Sequence, residues 1–321
     1  MKKILLTGGG GHIGTVLTHE LLHKGYFVKV LDNFMYGDYL EDNINLEKVI
    51  GDIRNENLVD QAIKDTDHVI HLACISNDPC SELNPVTTRE INFDASEYLI
   101  KAAKKAGVSR FIFASSSSVY GIKDEPEVTE DLQLEPITLY SELKCDIEKV
   151  LFDHGGENFT TVAVRSATVC GYSPRMRLDT ILNIFVNCAI NKGKISIEGG
   201  EQMRALIHIK DNVRFYSMLI DQEKTKIDQQ AFNIGSGNYT VKEVAEIVKS
   251  KINCIIEKVG VTDPRSYTLS TKKAFSILGF EPKYSLYEAM DEVRVAFEQG
   301  LIDPDDIRLY NIKLMKSKNI F

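Results

Sequence analysis

The segment KILLTGGGGHIGTVL, residues 3–17, constrains this chain more than any other stretch. A greasy run of strand length ends in four consecutive glycines, and a helix-like pattern begins at once. Glycine costs conformational entropy on folding, so such a run marks a place that needs bare backbone. Within it Gly8, Gly11 and Gly14 stand at spacing G-x-x-G-x-x-G. In a strand–turn–helix unit that spacing serves a tight turn, the close approach of a dinucleotide diphosphate, and helix–sheet contact. The amino end of the helix offers unpaired N–H groups, around His12 and Ile13, to the anion. His12 is expected to lend its backbone rather than to act as acid or base.

Asp32 ends the next strand, 18 residues beyond Gly14. A carboxylate there accepts hydrogen bonds from ribose hydroxyls and repels a 2′-phosphate. No arginine follows in DNFMYGD, where Asn33 joins the same cofactor set, so NAD is expected rather than NADP. Asp52, next to Ile53 in GDIR, is read either as a bond to the adenine edge or as a simple helix cap. Leu72 and Ala73, at the end of a fourth strand, are expected to line the groove where nucleotides cross the sheet.

The rest of the first half supports that reading. Apolar runs at 3–7, 27–31, 46–50, 67–73, 110–115 and 159–165 alternate with helical patterns near 12–24, 55–65, 84–106 and 137–154. Buried strands joined by helices predict a parallel sheet covered on both faces, an α/β doubly wound (Rossmann) architecture. Beyond residue 170 the rhythm changes. The expected division is a dinucleotide lobe over 1–165 and roughly 205–248, with a smaller substrate lobe over 166–204 and 249–321. The tail NIKLMKSKNIF is expected to be solvated.

With a net charge of −8, the chain is a poor candidate for nucleic acid or an anionic membrane surface. Its six cysteines form no CxxC pair, and neither a metal site nor disulfides are expected. The apolar run after MKK is too short for an export leader, and no stretch approaches the ~18 apolar residues of a membrane span. A soluble, cytoplasmic protein is expected.

TLYSELK places Tyr140 and Lys144 one helical turn apart, on one face. Upstream, FIFASSSSVYG ends a strand in four serines. Free tyrosine titrates near about pH 10. A neighbouring ammonium and an oxidised nicotinamide are expected to draw the phenol toward working pH and make it a base.

TGGGGHIG, HLAC, SSSSVYG, YSELK, VRSATVCG and RALIHIKDNV together resemble the successive motifs of the extended short-chain dehydrogenase/reductase family, in its NAD-dependent nucleotide-sugar epimerase/dehydratase branch. The resemblance runs from residue 3 to about 290 and implies a seven-stranded Rossmann lobe with a smaller carboxy-terminal lobe for a nucleotide-diphosphate sugar. It makes Tyr140 the base, Lys144 the partner of the nicotinamide ribose, and Ser116 the catalytic hydroxyl. Asn92 matches an asparagine near the cofactor. Arg204 and Arg265 match arginines at the substrate diphosphate, and Arg177, with Arg175, is a further candidate. Ser117 and Thr168 are placed at the substrate. A homodimer is implied through helices near 88–106 and 137–154, using Ile91, Ala95, Tyr98, Leu99, Leu143, Ile147 and Val150. The same positions could instead face the home sheet.

Relatives that eliminate water carry an Asp–Glu pair after the catalytic hydroxyl; here Ser117 and Ser118 stand there. Decarboxylases place a glutamate, and epimerase-reductases a cysteine, where this chain has Ser118. The expected activity is therefore C4 epimerisation: oxidation, rotation of the keto-sugar, and re-reduction. A net C4 dehydrogenase or reductase is the alternative, because GYSPRMRLD is similar to a sugar-nucleotide oxidoreductase subgroup that includes heptose-modifying enzymes. A non-catalytic NAD sensor is disfavoured by the intact Tyr–Lys pair.

Overall fold

A computed structural model of the chain describes residues 1–260 and 266–318. The strands are β1 (Lys3–Thr7), β2 (Phe27–Asp32), β3 (Leu46–Ile50), β4 (His68–His71), β5 (Arg110–Ser116), β6 (Thr160–Ser166), β7 (Thr168–Cys170), β8 (Lys194–Glu198), β9 (Met203–His208), β10 (Gln230–Ile234), β11 (Gly237–Thr240) and β12 (Ile255–Val259). The helices are α1 (His12–His23), α2 (Glu56–Ala62), α3 (Asp78–Ser81), α4 (Pro85–Arg89), α5 (Ala95–Lys105), α6 (Leu139–His154) and α7 (Ile181–Lys192). They continue with α8 (Ile209–Leu219), α9 (Lys224–Ile227), α10 (Val241–Lys249), α11 (Lys272–Leu278), α12 (Leu286–Glu298) and α13 (Asn311–Ser317).

Seven parallel strands form one sheet in the order β10-β6-β5-β4-β1-β2-β3. The chain steps outward from β1 in both directions, so β1 and β4 flank the reversal point where a dinucleotide crosses. The inner strands β1, β4, β5 and β6 are buried on both faces, whereas the edge strand β3 leaves Ile50 exposed. One face packs Ile4, Leu6, Leu17, Leu21, Val213 and Phe215 under α1 and α8. The other packs Leu5, Leu31, Val69, Leu99, Phe111 and Ile147 under α2, α5 and α6.

The smaller lobe holds a three-stranded sheet, β11-β9-β7, and a two-stranded one, β12-β8. Its core gathers side chains from α7, α10 and α12, among them Leu182, Val186, Val244, Val248, Met290 and Val293.

The structure corrects three expectations and bears on a fourth. First, of residues 205–248, α8, α9 and β10 pack with the large sheet, whereas α10 belongs to the second core, because its apolar stripe faces α7. Conversely Leu269, Ala274 and Phe280, expected in the small lobe, pack in the large one. Second, the single helix expected over 84–106 is α4 and α5 joined by a π-helical turn at Glu90–Asp94. Third, the tail over residues 311–318 is not simply solvated. Asn311, Leu314 and Met315 of α13 are buried, and Met315 packs with Ile75 and Cys80. Fourth, of the positions offered for a dimer or for the home sheet, Ala95, Leu99 and Ile147 lie in the sheet cluster and Leu143 is buried, while Ile91, Tyr98 and Val150 pack against that cluster and stay half-buried. No helix among the described residues is long and apolar enough to cross a membrane.

Candidate active site

A cavity of about 570 Å³ opens along the carboxyl ends of β1, β2, β4, β5 and β6 and is closed on the far side by the small lobe. Gly8, Gly11, His12, Ile13 and Gly14 line it at one end. Gly8 has φ +75°, and a Cβ there would come within 2.6 Å of the Ala73 backbone nitrogen. A Cβ on Gly14 would come within 2.1 Å of the Gly8 carbonyl oxygen. Both positions admit glycine alone, and what they leave is a shallow backbone cradle. Gly11, the N-cap of α1, contributes no side-chain cap, so the first-turn N–H groups face the cavity end of the helix dipole.

Asp32 closes the turn, accepting from the N–H of Gly10 at 2.9 Å and of Phe34 at 2.7 Å. Burial pushes its carboxyl up, and those two N–H groups pull it back. Asn33, Ile53, Leu72 and Ala73 line the same end, Asn33 accepting from the Met35 N–H at 3.0 Å. Asp52 also lines it but is no helix cap: Asn55 caps α2, and the Arg54 fork grips the Asp52 carboxylate at 3.1 and 2.8 Å, holding it below the usual carboxylate range.

At the other end β5 runs out into the serines. Ser116 caps the following turn and accepts from the Ser118 N–H at 3.2 Å and hydroxyl at 2.9 Å. Ser117 Oγ accepts from Tyr267 at 2.9 Å. A capping box at Thr138 and Ser141 starts α6 so that Tyr140 lies in its first turn and Lys144 one turn on, both lining the cavity. Lys144 is buried, its Nζ donating to the Ala114 carbonyl at 2.6 Å and lying 5.6 Å from the Tyr140 ring centre.

One expectation changes here. In the protein alone the Tyr140 phenol is pushed up, not down: burial dominates, Cys74 and Asp78 add to it, and the Ser116 hydroxyl and Arg177 act the other way. The phenolate thus needs additional positive charge beside it, which an oxidised nicotinamide carries when bound.

Asn92 is a second correction. It is buried, it does not line the cavity, and both ends of its amide are spent on Ile75, accepting from the N–H at 2.7 Å and donating to the carbonyl at 3.0 Å. It shapes the Ala73–Asn77 wall rather than touching what that wall holds. Thr168, Arg177 and Arg204 also line the cavity, Arg177 pairing with Asp179 at 2.8 Å and Arg204 donating to the Met203 carbonyl at 2.9 Å. Arg265 lies outside the described residues. His12, expected to lend only backbone, is also buried through its ring, with Nδ1 3.1 Å from the Arg175 carbonyl and its pKa pushed down to about 3 by burial and by Arg177 and Arg175.

Sequence reasoning missed Tyr36, Asp78, Tyr267 and Asn311, all of which line the cavity. Only Asp78 lay near a legible signal, as an acid following Asn77 at a helix start; Thr138 donates to it at 2.6 Å.

The cradle, the uncapped helix end and Asp32 fit a dinucleotide, and comparison with known proteins agrees. Residues 4–235 match the sequence profile of the NAD-dependent epimerase/dehydratase family. The chain is 31% identical over 324 residues to UDP-glucuronic acid decarboxylase 1 of Arabidopsis thaliana, covering 95% of this chain and 72% of that one. It is 28% identical over 316 residues to UDP-glucose 4-epimerase of Lactobacillus helveticus, covering 91% and 94%. Among solved structures, MoeE5 in complex with UDP-glucuronic acid and NAD superposes with a TM-score of 0.82 at 27% identity, over 93% of this chain and 99% of that one. The protein is an NAD-dependent enzyme that belongs to the epimerase/dehydratase family.

Proposed function

We propose that this enzyme epimerises a nucleotide-diphosphate sugar at C4. The observation that carries the reading is the chemistry of the strand end: beside Tyr140 stand Ser116, Ser117 and Ser118, hydroxyls with no carboxylate among them. At neutral pH such hydroxyls do not shuttle protons as an Asp–Glu pair does, so loss of water lacks its acid and base, and Ser118 stands where decarboxylases place a glutamate. The acids that do line the cavity are engaged: Asp32 by backbone N–H groups, Asp52 by Arg54, Asp179 by Arg177, and Asp78 by Thr138.

In this reading Ser116 and Tyr140 hold the C4 hydroxyl, and the Tyr140 phenolate oxygen takes its proton and later returns it. Lys144, tied to Ala114, keeps Tyr140 in register with the strand end and reaches the nicotinamide ribose. NAD, when bound, supplies the acceptor and then the donor for the C4 hydride. Arg177 and Arg204 hold the diphosphate, a role that suits bidentate guanidinium. With the diphosphate tethered, the sugar can turn over against the small walls formed by Ser117 and Thr168.

The test is incubation with UDP-glucose and UDP-glucuronic acid under catalytic NAD, followed by product analysis. The reading predicts interconversion of C4 epimers with no lasting NADH absorbance. A keto-sugar with stoichiometric NADH would instead indicate the dehydrogenase. Released carbon dioxide or a dehydrated sugar would turn attention to Asp78, whose charge registers at Tyr140.

A further inference from the structure

A buried cation stands at the dinucleotide end of the cavity with no carboxylate in ion-pair contact among the described residues. Arg175 is 1% exposed. Its neighbour Arg177 takes Asp179, whereas Arg175 donates from Nη2 to the neutral amide of Asn311 at 2.5 Å. Its Nε has no hydrogen-bond partner among the described residues. The guanidinium lies 3.9 Å from the ring centre of Tyr36. Burial, with Arg177 adding to it, pushes Arg175 down to about 10. Asp179, already paired with Arg177, and Asp32 act on Arg175 only through space, so this buried guanidinium with no ion pair of its own is suited to an anion.

The loop's anchors indicate which anion. Residues 173–175 are laid across the first turn of α1 at three points. Ser173 donates to the His12 carbonyl at 2.8 Å, Ser173 and Thr15 share a bond of 2.9 Å, and the His12 ring meets the Arg175 carbonyl at 3.1 Å. That turn is the positive end of the helix, opposite the glycine cradle. The charge of Arg175 registers at Asp32, on the ribose side, while that of Arg177 registers at Tyr140. Both arginines also act on His12 and Tyr36, so they sit side by side, with Arg175 the one whose charge is felt at Asp32.

We propose that Arg175 is a direct ligand of the dinucleotide's diphosphate, held against Tyr36 by Asn311 of the C-terminal helix, which acts as a positioning residue. This rests on reading the cavity as an NAD site and adds a clamp that the glycine loop does not supply. Asn311 is itself well fixed: its Nδ2 donates to Ser76 at 3.1 Å, its backbone N–H donates to Asp179 at 3.2 Å, and α13 is pinned through Met315 and Ile312 against Met35, Ile75 and Cys80. The C-terminal segment thus helps to retain the cofactor, as an enzyme that regenerates NAD at each turnover requires.

The experiment measures binding by calorimetry for NAD, ADP-ribose, adenosine and UDP. ADP-ribose keeps the diphosphate without the nicotinamide, adenosine lacks the diphosphate, and UDP reports the substrate side. Arg175→Met is expected to weaken NAD and ADP-ribose about 10- to 100-fold, the worth of a charge-assisted bond, and to leave adenosine and UDP unchanged. Asn311→Ala is expected to give the same pattern at about 3- to 10-fold, and it serves as the test if Arg175→Met does not fold. Unchanged ADP-ribose binding, equal loss for adenosine, or loss for UDP instead would overturn the assignment. Because no sugar turnover is involved, a failed epimerase assay would leave this result standing, and the reverse also holds.

Discussion

Lys144 donates to the Ala114 carbonyl at 2.6 Å, tying the middle of α6 to β5 two residues before Ser116. The bond sets the distance between the phenol of Tyr140 and the hydroxyl at the strand end. It also keeps the ammonium buried, 4.7 Å from the Phe113 ring centre. With Lys144 in place, burial still holds the Tyr140 phenol above its ordinary range.

A pH dependence follows with a definite sign. A base whose pKa is raised is protonated, and idle, until the pH climbs toward that value. Turnover should therefore fall as pH is lowered, and Lys144→Met should displace the limb further to alkaline pH. Tyr140→Phe should cost about 10²- to 10⁴-fold in kcat with NAD still bound. A pH–rate profile of the three proteins checks both points.

Behind the strand end lies a buried ion pair. Glu148, one turn beyond Lys144, holds Arg165 at 2.7 Å and receives the Ser115 hydroxyl, and Arg165 reaches Tyr120 at 2.8 Å. Removing one partner strands the other charge, so Glu148→Gln should lose about 3–5 kcal/mol in urea unfolding. The double change Glu148→Leu with Arg165→Met should lose much less, because it buries no charge.

Three buried histidines make the fold sensitive to acid. His12 and His71 are pushed down to about 3, and His68 to about 4, in each case chiefly by burial, with Arg177, Lys144 and Arg110 respectively adding to it. Unfolded, they take protons near 6.5. Their contribution is complete above that pH and drains away as pH falls toward the folded values. Each removes about 1.4 kcal/mol per pH unit in that window. Urea midpoints from pH 7 to 5 should drop accordingly, and His71→Gln should flatten the slope by one histidine's share.

Asn92→Ala would leave the Ile75 N–H and carbonyl without their partner, at about 1–3 kcal/mol for each group. NAD should bind more weakly, because Ile75 belongs to the cavity wall, while kcat at saturating NAD should change little. Calorimetry beside steady-state kinetics separates the two effects.

What could be read in the sequence was local. Gly8, Gly14 and Asp32 announce themselves because one turn and one strand end must satisfy steric and charge demands over a few residues, and Tyr140 and Lys144 because a helix repeats. Arg175, Tyr36 and Asn311 meet only through folding, from segments more than a hundred residues apart, so no spacing betrays them. Asn92 was legible in position but not in role, since a π turn aims its amide at Ile75. The tail misled through its composition: its lysines suggest solvent, yet Asn311, Leu314 and Met315, at i, i+3 and i+4 of α13, share one face and are buried.

The central claim is that the C4 hydrogen leaves and returns to the same carbon while Tyr140 holds its proton. The most direct measurement follows UDP-glucose carrying deuterium at C4. The account predicts a C4 epimer that retains the deuterium, with NAD unchanged at the end. Deuterium lost to solvent, or recovered in NADH beside a keto-sugar, would contradict it.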